Sequence, residues 1–217
     1  VLKLFLVGFV ESAGEKQRIA IKQLLALKKL SSAHRLAADG WDEEWKVLVA
    51  TLMSARTTDK KTIPVAQELF RKYGGVKSLS KASISAIAKI IRPVNFYKTK
   101  SRNINKLAKI LVRVYNSSVP HDFEKLVELP GVGRKTANVF LAEVGHNTIG
   151  VDTHVTYCSR YLGWTKHTEQ EKIEFDLKTL FPQRYWGELN WILVRFGQTY
   201  TNRREKNIIL DKIKKLK

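Results

Sequence analysis

Lys135 lies within Glu128-Leu129-Pro130-Gly131-Val132-Gly133-Arg134-Lys135-Thr136-Ala137-Asn138-Val139, the segment of the chain with the most chemical content. Pro130 stops the helix before it, and Gly131 and Gly133 allow a hairpin whose backbone comes close to a partner. Arg134 then opens a new helix. The N–H groups at that helix's start, together with its dipole, make an anion site of the kind that holds a phosphate. Arg134 and Lys135 add positive charge at the same place, and Leu129 and Val132 can pack the two helices together. A lysine on a first helical turn is ordinarily solvated or touches phosphate. Further along, Asp152 precedes Thr153-His154, where an Asp commonly caps a helix; the same carboxylate is also free to do chemistry. His154 has no other ligand nearby in sequence, so it reads as a packing or hydrogen-bonding histidine and no metal site is assigned.

The elements that must position these residues read as helix after helix. Apolar spacing from Glu15 to Leu30 suits a helix with a broad buried face. Asp42 is placed to cap a helix through Met53, and Asp59 another to Tyr73, ended by Gly74-Gly75. Ser80 starts a short helix that must finish before Pro93. A long one runs from Tyr97 to Tyr115, closed by Asn116-Ser117-Ser118 and Pro120. Asn116 heads a glycosylation triplet, but the segment reads better as a turn. Asp122 caps a short helix to Glu128. Further helices fit Arg134 to Val144, Asp152 to Leu162, Thr168 to Leu180, Arg184 to Phe196 and the tail after Asn202. No alternating stretch is long enough for a sheet, so the fold class is all-α.

Charge narrows the partner. The chain has 217 residues, with 39 Lys plus Arg against 20 Asp plus Glu, a formal net charge of +19. Such an imbalance is repulsive within a compact state and points to a polyanion. The positive charge is clustered: Lys98, Lys100, Arg102, Lys106, Lys109 and Arg113 fall between Tyr97 and Val114 with no acidic residue among them, and the tail from Arg203 to Lys217 is basic. An anionic membrane surface is the weaker choice, because no stretch reaches the ~18 apolar residues of a spanning helix. The opening Val1 to Val10 carries Lys3 and lacks a basic leader, so it is read as a cropped or atypical start and not as a signal peptide. Hydrophobic residues make up 44%, which excludes global disorder. The single cysteine, Cys158, excludes a disulfide framework within the chain and a cysteine-rich metal site.

The hairpin segment is similar to the helix-hairpin-helix motif of DNA repair proteins. Leu129 to Val139, followed by Val151-Asp152-Thr153-His154-Val155, resembles the core of the endonuclease III family of DNA glycosylases. Leu52-Met53-Ser54-Ala55-Arg56-Thr57-Thr58-Asp59 and Phe96-Tyr97-Lys98-Thr99-Lys100 resemble two upstream segments of that family, and the likeness spans about residues 40 to 200. It implies two helical lobes with a cleft between them. One is a helical barrel over 35–147 containing the hairpin, and the other is built from 1–34 plus 148–217. The implied activity is a bifunctional DNA glycosylase and abasic-site lyase acting on damaged, chiefly pyrimidine, bases in duplex DNA. A monofunctional uracil or thymine mismatch glycosylase and a non-catalytic DNA-binding protein are the alternatives. The implied setting is a monomer, without a membrane partner, located inside the cell with its DNA.

Within that resemblance the family's nucleophile falls on Lys135 and its carboxylate on Asp152. A neutral lysine amine can attack C1′ and form a Schiff base, while a carboxylate stabilises the oxocarbenium-like charge on the sugar. Gly131, Gly133, Arg134, Lys98 and Lys100 fall on DNA-binding positions. Arg56 stands where the family commonly has Gln, at the position that fills the gap left by a flipped nucleotide. Phe96 stands at an apolar wedge, and its alternative is a loop aromatic buried in the core. The chain departs from the family at its C-terminal region. The four cysteines that hold a [4Fe–4S] cluster are absent, so no cluster and no other cofactor is expected.

Overall fold

The computed structural model describes residues 2–217, with side chains from Gly14 onward; Val1 and the side chains of the apolar opening lie outside the described residues. Among the described residues the chain is all-α, with no strand. It divides into two compact units, one of Arg35–His146 and the other of Asn147–Lys217 together with the segment up to His34.

In the first unit, α2 (Glu44–Ser54) is the central helix, with Trp45, Val47, Leu48, Val49, Leu52 and Met53 all buried. Around it pack α3 (Asp59–Lys72), α6 (Tyr97–Val114) and α8 (Arg134–Glu143), and α4 (Val76–Lys81) and α5 (Ile84–Ile90) pack on α6. The short α7 (Phe123–Val127) leads into α8. Where one helix was expected from Ser80, the structure has two. Ser83, not Ser80, is the cap, its hydroxyl accepting from the Ala86 amide at 3.1 Å. The caps of α2 and α3 fall on Glu43 and Thr58, each in extended conformation one residue away from the Asp read as the cap. Asn116 and Ser117 have φ +49° and +71°, so that segment is a turn.

The second unit packs α1 (Leu2–Leu30) with α9 (Thr153–Leu162), α10 (Gln170–Leu180), α11 (Trp186–Thr199) and α12 (Arg203–Lys214). Its core includes Leu24, Leu27, Val155, Ile173, Leu177, Ile192, Phe196 and Leu210. Trp164 donates its indole N–H to Gln23 Oε1 at 2.7 Å, so this buried polar pair ties the loop after α9 to α1. A 3-10 turn at Gln183–Tyr185 precedes α11, placing that helix's start slightly later than the sequence suggests.

Candidate functional site

Local chemistry builds the hairpin. Asp122 caps α7 by accepting the Lys125 amide at 2.9 Å. The Val132 amide donates to the Leu129 carbonyl at 3.0 Å, closing the turn, and both side chains are buried. The two glycines do different jobs. Gly131 has φ +81°, and a Cβ there would lie 2.7 Å from Asn103 Nδ2 and 3.0 Å from Leu52 Cδ1. Backbone and packing both require it. Gly133 has φ −96°, which any residue can adopt, and a Cβ there would meet nothing within 4 Å. Inside the protein nothing demands glycine at 133; a bare backbone there suits close approach from outside. Gly133 also caps α8 without a side chain, so no cap oxygen occupies the first-turn amides.

Arg134 lays its guanidinium over the Phe123 ring, 5.0 Å from the centroid, which fixes the direction of the first turn of α8. Lys135 follows on the same turn and is half-buried. Among the described residues of its unit, no ion pair or hydrogen bond engages its amine. In the other unit, Asp152 is the N-cap of α9, with Oδ1 accepting the His154 and Val155 amides, both at 2.9 Å. Both bonds fall on one oxygen, and the cap leaves Oδ2 unused. Asp152 also lines an open cavity of about 670 Å³ in that unit, together with Thr156, Tyr157, Arg160 and Arg203.

His154 packs tightly against α11. A Cβ on Gly197 would come within 2.0 Å of its Nδ1, so only glycine allows α9 and α11 to approach this closely. That pairing was not read from sequence, because nothing local to Gly197 announces the imidazole lying against it. Among the described residues, no group of three His, Cys, Asp or Glu could hold a metal ion.

Arg56 and Phe96 come together in the first unit. Phe96 is 55% exposed, which removes the buried-aromatic reading. The Arg56 guanidinium sits over the Phe96 ring, 4.9 Å from its centroid. Both residues have left-handed backbones, φ +56° and +60°, which is strained for non-glycine residues. Lys98 is exposed on the first turn of α6, where a phosphate can reach it.

Lys100 departs from the expected phosphate contact. It is only 6% exposed, and its amine donates to Met53 O at 2.7 Å, Ala55 O at 2.6 Å and Thr57 Oγ1 at 3.3 Å. Burial draws its ammonium down to about 8. The charge is spent inside the protein, holding the backbone that leaves α2. In sequence it is one more cation in a basic run; the acceptors that claim it are far away along the chain.

The four cysteines that the resemblance associates with a cluster have no counterpart in this sequence, whose one cysteine is Cys158. The region after Asn202 is α12, which buries Leu210 and Ile213 and contains no cysteine. Cys158, the chain's one thiol, is buried in α9, and burial pushes it up to about 12. The outer face of α12 exposes Lys212 and Lys214, and Lys215 at its C-terminal cap is exposed as well.

The sequence profile of the HhH-GPD superfamily of base excision DNA repair proteins matches residues 49–183, a span that includes Arg56, Phe96, Lys135 and Asp152. The chain belongs to this superfamily. Endonuclease III of Thermotoga maritima is 39% identical over 158 residues, covering 72% of this chain and 74% of that one. Endonuclease III of a Synechocystis species is 37% identical over 188 residues, covering 86% and 85%. Among solved structures, an endonuclease III trapped as a covalent intermediate with DNA, in an estranged-adenine complex, matches with a TM-score of 0.78. It is 31% identical, with 87% of this chain and 89% of that chain covered. This HhH-GPD chain is therefore a base excision repair protein of the endonuclease III type.

Proposed function

We propose that this HhH-GPD protein is a bifunctional DNA glycosylase and abasic-site lyase that removes damaged pyrimidines from duplex DNA. The hairpin grips a phosphate through Gly131, Gly133 and the start of α8, and the target nucleotide is turned out of the stack. The amine of Lys135 gives up a proton and attacks C1′. The C1′–N bond breaks, its electron pair leaves with the base, and the base takes up a proton. The carboxylate of Asp152 opposes the positive charge that develops on the sugar. The sugar ring then opens to a protonated Schiff base, which acidifies the C2′ proton. Its removal expels the 3′ phosphate and cuts the strand. Arg56 and Phe96 fill the space the nucleotide vacates.

The observation that carries this reading is Lys135 itself. It stands on the first turn of a helix whose cap is bare backbone, half-buried and unpaired with any carboxylate of its unit. Support comes also from the covalent DNA intermediate formed by the relative with a TM-score of 0.78. A second reading, a DNA-binding protein without catalysis, draws on the bonds of Asp152, whose capping role explains that residue without chemistry. Strand cleavage separates the readings. On duplexes carrying oxidised pyrimidines, uracil, thymine opposite guanine, or an abasic site, the proposal requires nicks without alkali treatment. On the duplexes that still carry a base, nicks that appear only after hot alkali would identify a monofunctional enzyme, and none under either condition would leave the binding protein; hot alkali cuts the abasic duplex by itself, so there only alkali-free nicking is read.

A further inference from the structure

Two exposed segments, one after α2 and one before α6, meet at Arg56 and Phe96, and the contacts beneath them form one network. Asn95 Nδ2 donates to the Arg56 carbonyl at 2.6 Å, and the Asn95 amide donates to Thr57 Oγ1 at 3.1 Å. Thr57 Oγ1 also receives the Lys100 amine. Lys100 completes its three bonds at the Met53 and Ala55 carbonyls, so each ammonium proton has an oxygen. Every donor in the network points at the strained turn carrying Arg56 or at the residues flanking it. A lysine amine is costly to bury, and this site draws it down to about 8. A left-handed phenylalanine next to a left-handed arginine is also costly, and such strain persists only where surrounding contacts over-determine it.

We propose that Lys100 and Asn95 are positioning residues that lock Arg56 and Phe96 into one preformed, stacked wedge, so that guanidinium and ring enter the duplex together. This rests on the reading of that pair as the gap-filling element. Preformation removes the ordering cost that two independent loop side chains would bear on insertion. It also explains why a buried lysine serves here: one side chain reaches the end of α2 from α6 and holds three acceptors at once.

The test is a double-mutant cycle. Asn95 is exposed, so Asn95→Ala and Asn95→Asp remove its side-chain donor without disturbing the core. Lys100→Met is the companion at the buried site, accepted for comparison only where circular dichroism shows the native helix content. Base separation is read from 2-aminopurine placed beside the target, and excision from single-turnover rates. Asn95→Ala, Asn95→Asp and Lys100→Met are each expected to reduce both on the order of tenfold, through misplacement of the wedge. In an Arg56→Ala/Phe96→Ala background, adding Asn95→Ala is expected to change neither. Equal losses from Asn95→Ala in both backgrounds would overturn the positioning role, as would full activity of Asn95→Ala beside an impaired Arg56→Ala/Phe96→Ala protein. Normal base separation by Arg56→Ala/Phe96→Ala itself would instead remove the gap-filling reading on which the inference stands.

Discussion

Asp152 caps α9, and in the proposed reaction the same carboxylate opposes the charge that develops on the sugar. Its Oδ1 holds two amides of α9, a bond set that asparagine can reproduce with its own side-chain oxygen. Asp152→Asn is therefore expected to shift the unfolding midpoint very little, whereas Asp152→Ala loses the cap and about 1 kcal/mol. Both variants lose the negative charge. Base excision by Asp152→Asn should fall at least a hundredfold, on the scale of removing a charge-stabilising group from a transition state. Thermal melts paired with single-turnover excision check this; parallel loss of stability and activity in Asp152→Asn would mean that the residue is only a cap. The cap was legible at residue scale, because capping is a local property of an Asp before a helix. Lys100 was not. Its acceptors Met53 and Ala55 lie 47 and 45 positions away, and no local pattern says that a cation in a basic run faces inward.

At the scale of elements, the helices whose ends are set by local chemistry were readable: α7 behind Asp122 and α9 behind Asp152 carry a side-chain cap at the expected residue, and α12 follows Asn202 as read, with Asn202 also serving as its cap. Where packing sets the ends, reading was poorer. The region after Gly75 is split into α4 and α5 by their separate contacts with α6, and the tight pairing of α9 with α11 depends on Gly197 meeting His154 across the unit's core. The hairpin glycines give a prediction that separates folding from binding. Gly131→Ala must strain a backbone at φ +81° and push on Asn103 and Leu52, so it is expected to destabilise by about 1–3 kcal/mol. Gly133→Ala has open space and a permitted backbone. It should melt within about 0.5 kcal/mol of the unaltered protein yet bind duplex DNA at least tenfold more weakly, because in the proposed grip its methyl group stands where the phosphate approaches. Chemical denaturation and fluorescence anisotropy give the two numbers, and unchanged DNA affinity in Gly133→Ala would show that the hairpin does not face DNA.

For the whole molecule, the net charge of +19 was readable as a polyanion partner, but its layout was not. Of the basic run in α6, Lys98, Arg102, Lys106, Lys109 and Arg113 are exposed while Lys100 is enclosed. On α12 the apolar Leu210 and Ile213 turn inward, and Lys212, Lys214 and the capping Lys215 are exposed. Among the described residues no helix is long and apolar enough to cross a membrane. Neutralising Lys212, Lys214 and Lys215 together is expected to weaken all duplexes alike and to make the dependence of log affinity on log salt shallower, by about one unit for each phosphate no longer neutralised. Titrations of lesion-containing and intact duplexes at several salt concentrations check it. A loss confined to one lesion would mean that α12 reads the base and not the backbone.

Lys135 is the proposed carrier of the covalent step, and reduction of the Schiff base puts that to the test. Borohydride turns an imine between the lysine amine and C1′ into a permanent protein–DNA crosslink. The protein is expected to trap on an abasic duplex, with peptide mapping placing the attachment at Lys135. Lys135→Gln should bind the same duplex through the unchanged hairpin and yield no crosslink. Attachment at any other amine, or undiminished trapping by Lys135→Gln, would show that Lys135 does not carry the covalent step.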